Sequence, residues 1–364
     1  MIRLLITFIL AVMTFVPMYA HGFGLDPYSE YDKNSMDYRS SFLSSFKFTP
    51  RHEQLTLKAI NASRISSDYK SSEFREGVIR GIRWNDDPLS FARANGHIYY
   101  LSFKDSCDHS ETVDPSWDLL YRTHCGDMQF LHAMASTPYE TSKVTREKIM
   151  MWLEFSFKVS SGEIDKDWRF VSLAKQYLER NTTWEWAFNY LMTNNGTIRL
   201  DWQPEWLFTL HCGRWFTWSG LFFRARLTEL TCDDLNNQFT EQEIQDIALG
   251  SLLHLLQDSF SRSHVLRDRS GGVEMSAVSG VGRILQFGNY GMQDQELHGK
   301  ADLTISYKDF HKEFDLIDIS ARIIELAVMQ RGDNRSRWQE AKEMLDRVFE
   351  VVEPSKLPGD IGYK

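Results

Sequence analysis

The sequence predicts a mainly α protein: a multi-helix bundle with a metal cluster at its core, long loops and a small β-hairpin-like insertion. Three observations carry that expectation. Apolar residues recur at three- and four-residue steps along most of the chain, strand-like runs are few and short, and His and Asp residues fall at helical spacing inside apolar stretches. With 364 residues, 42% hydrophobic and 13% aromatic, the chain can bury a large core. It reads as a single helical domain over 21–353, with inserts near 97–125 and 140–240.

Taken in order, residues 1–20 read as a signal peptide. Arg3 supplies the positive end, Leu4 to Val16 the apolar run, and Met18-Tyr19-Ala20 ends in a small residue. The run is shorter than the roughly 20 apolar residues that span a bilayer, so cleavage after Ala20 is expected and His21 becomes the first residue. The expected location is secreted or periplasmic.

Thr49 and Pro50 suit the N-cap and first turn of a helix continuing through Leu55, Ala59 and Ile60. Residues 97–103, with Ile98, Tyr99, Tyr100 and Leu101, are the best candidate for a hairpin arm. Pro115 opens a helix carrying Trp117 and Leu120, with His132 near its far end or on a successor after Gly126. Helices are expected over 145–159 and 165–180. Thr240-x-x-Glu243 is a capping box followed by Ile244, Ile247, Ala248, Leu252, Leu255 and Leu256, which predicts a helix over about 241–262. Gly271, Gly272, Gly280 and Gly282 mark a long loop. Two more helices are expected over 313–330 and 335–352, the latter with Trp338, Leu345, Val348 and Phe349, and 354–364 reads as a C-terminal tail.

Charge and cysteine content narrow the function. The 41 basic residues face 50 acidic ones, a net charge of -9, and no run of five basic residues occurs. That argues against wrapping duplex nucleic acid, whose phosphates are met by clustered Lys and Arg, and against a polybasic membrane anchor. Four cysteines, at 107, 125, 212 and 232, are an even count in an exported chain. Proximity favours Cys107 with Cys125 and Cys212 with Cys232, although four cysteines allow three pairings. None forms a C-x-x-C pair, so thiolate zinc is not expected. Asn61, Asn181 and Asn195 begin glycosylation sequons.

The chemistry-bearing pattern is His254, Asp258 and His264, an H-x3-D-x5-H segment. Residues four apart on a helix project about 40 degrees from one another, so His254 and Asp258 share a face and can share a cation. His264 follows at the helix end or the turn after it, and His298 with Asp302 repeats the H-x3-D step. A lone buried His is usually a satisfied core residue. Here that explanation would have to be repeated four or five times. Imidazole and carboxylate without thiolate point to zinc.

These residues resemble the zinc-dependent phospholipase C and single-strand nuclease superfamily, helical hydrolases with a three-zinc cluster. The core of that family is an H-x3-D-x5-H helix, a later H-x3-D or H-x3-E, and upstream His and Asp ligands with the mature N-terminus. In this chain His52, in Arg51-His52-Glu53-Gln54-Leu55-Thr56, looks like the first imidazole. Asp86, in Trp84-Asn85-Asp86-Asp87, is similar to the W-x-D segment of the nucleases, and His132, in Phe130-Leu131-His132-Ala133-Met134, looks like the next ligand. The resemblance implies that Asp86, His132, His254 and Asp258 hold one zinc. It gives His264, His298 and Asp302 a second, and His21, His52 and a bridging Asp258 a third. Signal cleavage would then create a ligand. The chain departs from the family in having His21 where Trp usually stands and in long segments between Asp86, His132 and His254; Asp87 could replace Asp86, and His124 could compete with His132.

By the same resemblance the expected reaction is phosphoester hydrolysis by metal-activated water, with Asp86 as a pure ligand or as the group that orients or deprotonates the water. The 140–240 segment carries eight of the 11 Trp, at 152, 168, 184, 186, 202, 206, 215 and 218. Trp suits a phospholipid or membrane surface, base stacking on single-stranded nucleic acid, or simple core packing. Phe222 and Phe223 beside Leu221 could form an exposed patch. The acidic charge, the Trp- and Phe-rich insert and the His52-Glu53-x-x-Thr56 context favour a phospholipase C. The W-x-D segment and Asp302 favour a nuclease, and a non-catalytic structural metalloprotein is the third reading. No obligate protein partner is inferred.

Overall fold

The computed structural model describes residues 30–32, 37–39, 51–86, 123–173, 193–194, 197–198, 203–209, 214–219, 224–229, 239–268, 282–294, 298, 316–333 and 335–361. Within these the fold is mainly α. Its helices are α1 (Arg51–Ala62), α2 (Ser72–Asp86), α3 (Ser142–Ser160), the short α4 (Phe170–Leu173) and α5 (Pro204–Thr209), α6 (Glu241–Asp258), α7 (Leu316–Asp333) and α8 (Trp338–Val348). The strands form two-stranded antiparallel ladders, and Ile284 and Gly288 add isolated parallel bridges to Val351 and Gly359. The ladders are β1 (Glu30–Asp32) with β2 (Asp37–Arg39), β3 (Thr193–Asn194) with β4 (Thr197–Ile198), β5 (Arg214–Ser219) with β6 (Arg224–Glu229), and β7 (Val265–Arg267) with β8 (Ile284–Phe287).

The central element is α6. Its N-terminus is the capping box read from sequence: Glu243 N donates to Thr240 Oγ1 at 3.2 Å, and Thr240 N donates to Glu243 Oε2 at 2.8 Å. Every residue from Asp246 to Asp258 is buried, so beyond its first turn this helix has no solvent face and must be covered all round. It stops at Asp258, four residues before the expected end. Ser259, Ser261 and Ser263 follow, and their hydroxyls compete with the helical ladder: Ser259 Oγ donates to Leu256 O at 2.7 Å, and Ser261 Oγ and Ser263 Oγ share a 2.6 Å bond.

The most extensive helix contact is between α6 and α2, and it is made by glycines. A Cβ at Gly81 would lie 2.0 Å from Ile247 O, and one at Gly250 would lie 2.0 Å from Val78 O. Only hydrogen at these positions lets the two backbones come together. α3 covers another side of α6, with Trp152 stacked on Trp84 of α2 at 5.7 Å and its Nε1 donating to Ser251 Oγ at 3.3 Å. Trp152, Leu153, Phe155 and Phe157 belong to the same core as α6, so the start of the segment read as an insert supplies a principal core helix. α1 packs on α7, and α8 reaches α3 through Trp338 and Phe157, 5.6 Å apart.

The segment read as a tail is sewn to the body by its backbone as far as residue 361. Ser142 N donates to Lys356 O, Lys143 N to Pro354 O, and Gly359 N to Phe287 O, while Ile361 is buried. The expected hairpin at 97–103, Cys107, Cys212 and Cys232 of the two cysteine pairings, the patch at 221–223 and the signal segment 1–20 lie outside the described residues, as does 174–180 of the expected 165–180 helix; Cys125 alone of the four cysteines is described. No helix among the described residues is long and apolar enough to cross a membrane.

Candidate metal centre

Four elements deliver the centre. α1 presents His52 one residue after its start, and α2 ends on Asp86, pinned by Trp84 in the core and by Asn85, whose amide donates to Leu131 O at 2.9 Å. A 3-10 turn over Gln129–His132 carries His132 and closes with Ala133 in the left-handed region at φ 54°. α6 contributes His254 and Asp258, one turn apart at its C-terminal end. His264 follows through the serine turn, and β8 leads to Tyr290 and on to His298.

The hub is Asp258. Its Oδ2 accepts from His132 Nδ1 at 2.8 Å and lies 3.0 Å from His254 Nε2 and 3.6 Å from His264 Nδ1; its Oδ1 lies 3.3 Å from His52 Nε2. Asp86 Oδ1 lies 3.6 Å from both His132 Nδ1 and His254 Nε2. His52 and His254 stack with centroids 4.1 Å apart, and His264 and His298 lie 5.0 Å apart. All of these side chains are buried. Two groups, His52 with His254 and Asp258, and Asp86 with His132 and His254, bring their donor atoms close enough to hold a metal ion. His21 and Asp302 lie outside the described residues, as does Asp87.

The hydrogen bonds on the far sides of the rings test whether a cation fits. His254 Nδ1 contacts Ile82 O at 2.7 Å, and His264 Nδ1 contacts His132 O at 2.5 Å. A backbone carbonyl only accepts, so each Nδ1 carries the proton. A neutral ring then has its lone pair on Nε2, the arrangement a metal ligand needs. Gln293 does the same for His298: its amide nitrogen donates to Ser263 O at 2.5 Å, which turns Oε1 towards His298 Nδ1, also at 2.5 Å. Gln257 Oε1 faces His52 Nδ1 at 2.7 Å. His132 Nε2 is buried and makes no hydrogen bond. Imidazoles and carboxylates without thiolates, with tautomers fixed from behind, suit a borderline divalent cation.

Electrostatics agree. Burial opposes a charged His52, but the Asp258 carboxylate, with Asp86 behind it, outweighs burial and lifts the ring to about 9. Burial holds His132 down at about 3 despite its bond to Asp258, and His124 adds to the depression. Burial pushes the Asp258 carboxyl up, yet His264 and His254 hold it well below the usual range. The Asp258 carboxylate is thus favoured by the imidazoles that face it, the charge arrangement into which a cation would fit.

Sequence reading did not place three contributors: helix α2 as the carrier of Asp86, Gln293 as the support of His298, and Tyr290, whose ring lies 4.9 Å from that of His298 and 5.9 Å from that of His264. No family model matches the chain, and no curated protein or solved structure matches it either.

Proposed function

We propose that this chain is an exported zinc-dependent phosphodiester hydrolase of the phospholipase C type, acting on phosphatidylcholine-like phospholipids at a three-zinc centre. The observation that carries the proposal is the set of four imidazoles within 3.6 Å of the single buried carboxylate of Asp258. A buried carboxylate is costly unless compensated, and compensation by four separate rings converging from three parts of the chain is what a shared cationic centre requires.

His52, Asp86, His132, His254 and Asp258 would hold the ions at the described end of the centre, with His264 and His298 beside them. His21 and Asp302 complete the set that the family resemblance implies. Bound zinc supplies Lewis acidity towards a phosphoryl group and acidifies water near neutrality. Asp86, held between two imidazoles, orients the attacking water and accepts its proton at a carboxylate oxygen. The buried shell around Asp258 keeps bulk water from the ligands and holds their geometry before substrate arrives.

A nuclease reading draws on the Trp84-Asn85-Asp86 segment, in which Trp84 is a core anchor and Asp86 a member of the centre. One experiment separates the readings: metal content of the purified mature protein, with phosphatidylcholine vesicles and single-stranded DNA assayed in parallel. Diacylglycerol release without nucleotide products supports the phospholipase. Nucleotide release alone moves the function to the nuclease, and bound zinc with neither activity moves it to a structural metalloprotein.

A further inference from the structure

His124 is the imidazole that the three-ion arrangement does not use. It sits in the helical turn at Thr123–His124, buried, with its ring 4.7 Å from that of His132 and 5.7 Å from that of Tyr290. From sequence it competes with His132 for one role. The structure brings both rings to the same carboxylate.

The distances decide what kind of contact this is. His124 Nε2 lies 3.8 Å from Asp86 Oδ1, and His132 Nδ1 and His254 Nε2 lie 3.6 Å from the same oxygen. Hydrogen bonds between such atoms close to about 2.7–3.2 Å, so none of these three separations is one. Two donors bound to one zinc at about 2.0–2.1 Å stand roughly 3–4 Å apart, depending on the angle between the bonds. His124 Nε2 and His254 Nε2 therefore stand from Asp86 Oδ1 as donors that share one ion do. His132 Nδ1, by contrast, is already committed to Asp258 Oδ2 at 2.8 Å, which leaves the lone pair of that ring on Nε2. The other ring nitrogen of His124 also has a partner, with Nδ1 2.9 Å from Thr123 Oγ1, a hydroxyl able to accept its proton.

We propose that His124 is a further metal ligand, coordinating through Nε2 the divalent cation held by Asp86, His132 and His254. The inference rests on the metal-binding part of the proposed function and not on the choice of substrate. It gives this position three imidazoles and one carboxylate, a donor set for a borderline first-row cation such as zinc or cobalt.

The test uses the full mature protein loaded with Co2+ as a spectroscopic probe, with metal per chain measured alongside. His124→Ala should bind one equivalent about tenfold or more weaker than wild type and change the cobalt visible spectrum. His124→Cys, with a small side chain and a soft donor at the same place, should add a thiolate-to-cobalt charge-transfer band, which a residue acting only in packing cannot produce. Wild-type loading combined with an unchanged titration in the Ala variant and no new band in the Cys variant overturns the assignment of His124. Failure of wild type to bind Co2+ or Zn2+ at all overturns the metal-binding reading itself, a separate and recognisable result.

Discussion

Asp258 Oδ2 accepts a 2.8 Å hydrogen bond from His132 Nδ1, joining the end of α6 to a 3-10 turn 126 residues earlier. The same carboxylate faces His52 through its other oxygen, so it serves both groups of donors at once. Asp258→Ala should therefore lose more than one metal equivalent per chain, measured by elemental analysis after gel filtration. Loss of a single equivalent would reduce it to an ordinary ligand, and an unchanged count would remove it from the centre.

The glycine contact between α2 and α6 positions Asp86 against His254. A methyl at Gly250 would meet Val78 O at 2.0 Å and Gly81 Cα at 2.6 Å, both backbone atoms that can move only if the helices separate. Gly250→Ala should cost about 3 kcal/mol or more in chemical denaturation, at the upper end for overpacking, and weaken metal binding with it. Gly332, near the end of α7, has nothing within 4 Å of a built Cβ. Gly332→Ala should be neutral or stabilise by up to about 1 kcal/mol. Equal effects from the two substitutions would show that the close approach is not what matters.

Those glycines also explain what sequence reading saw and what it missed. α6 was legible because its capping box and apolar spacing are local signals, and His254 and Asp258 followed from its period. α2 was not, because Gly77 and Gly81 interrupt an otherwise helical pattern and lower its helix propensity; their purpose lies in a partner helix some 170 residues away, which no local window contains. His132 was legible as a residue type but not in its placement, since a 3-10 turn closed by Ala133 at positive φ has no periodic signature. The attachment of 354–361 was invisible for a third reason. It is made by backbone groups of Pro354, Lys356 and Gly359, which any sequence possesses.

Gln293 fixes the ring of His298 by accepting from its Nδ1 while donating to Ser263 O. Gln293→Leu keeps the approximate volume and removes both bonds, leaving a buried carbonyl and an unoriented imidazole. Metal affinity should fall about 10- to 100-fold in chelator competition, the usual range for partners behind a ligand. Thermal stability of the metal-free protein should fall by only about 1–3 kcal/mol, the penalty for an unsatisfied buried polar group. Unchanged affinity would mean that packing alone holds His298.

Asp246 gives a pH dependence independent of the metal centre. It lies on α6 over Gly77 and pairs with Arg331 of α7, Oδ1 to Nη1 at 2.7 Å. Burial raises its carboxyl from 3.8 to about 6; Arg331 opposes the rise, and Glu243 adds to it. A carboxyl raised on folding binds its proton more tightly in the folded state, so its contribution is complete below about pH 4 and is lost as pH climbs through 6. The shift corresponds to up to about 3 kcal/mol. Asp246→Asn cannot titrate, so subtracting its stability curve from that of wild type cancels every group the two proteins share. The difference should move against wild type between pH 4 and 6 and stay level above. Urea midpoints at half-unit intervals measure it directly, and a constant difference across that window would show that Asp246 folds with its ordinary carboxyl.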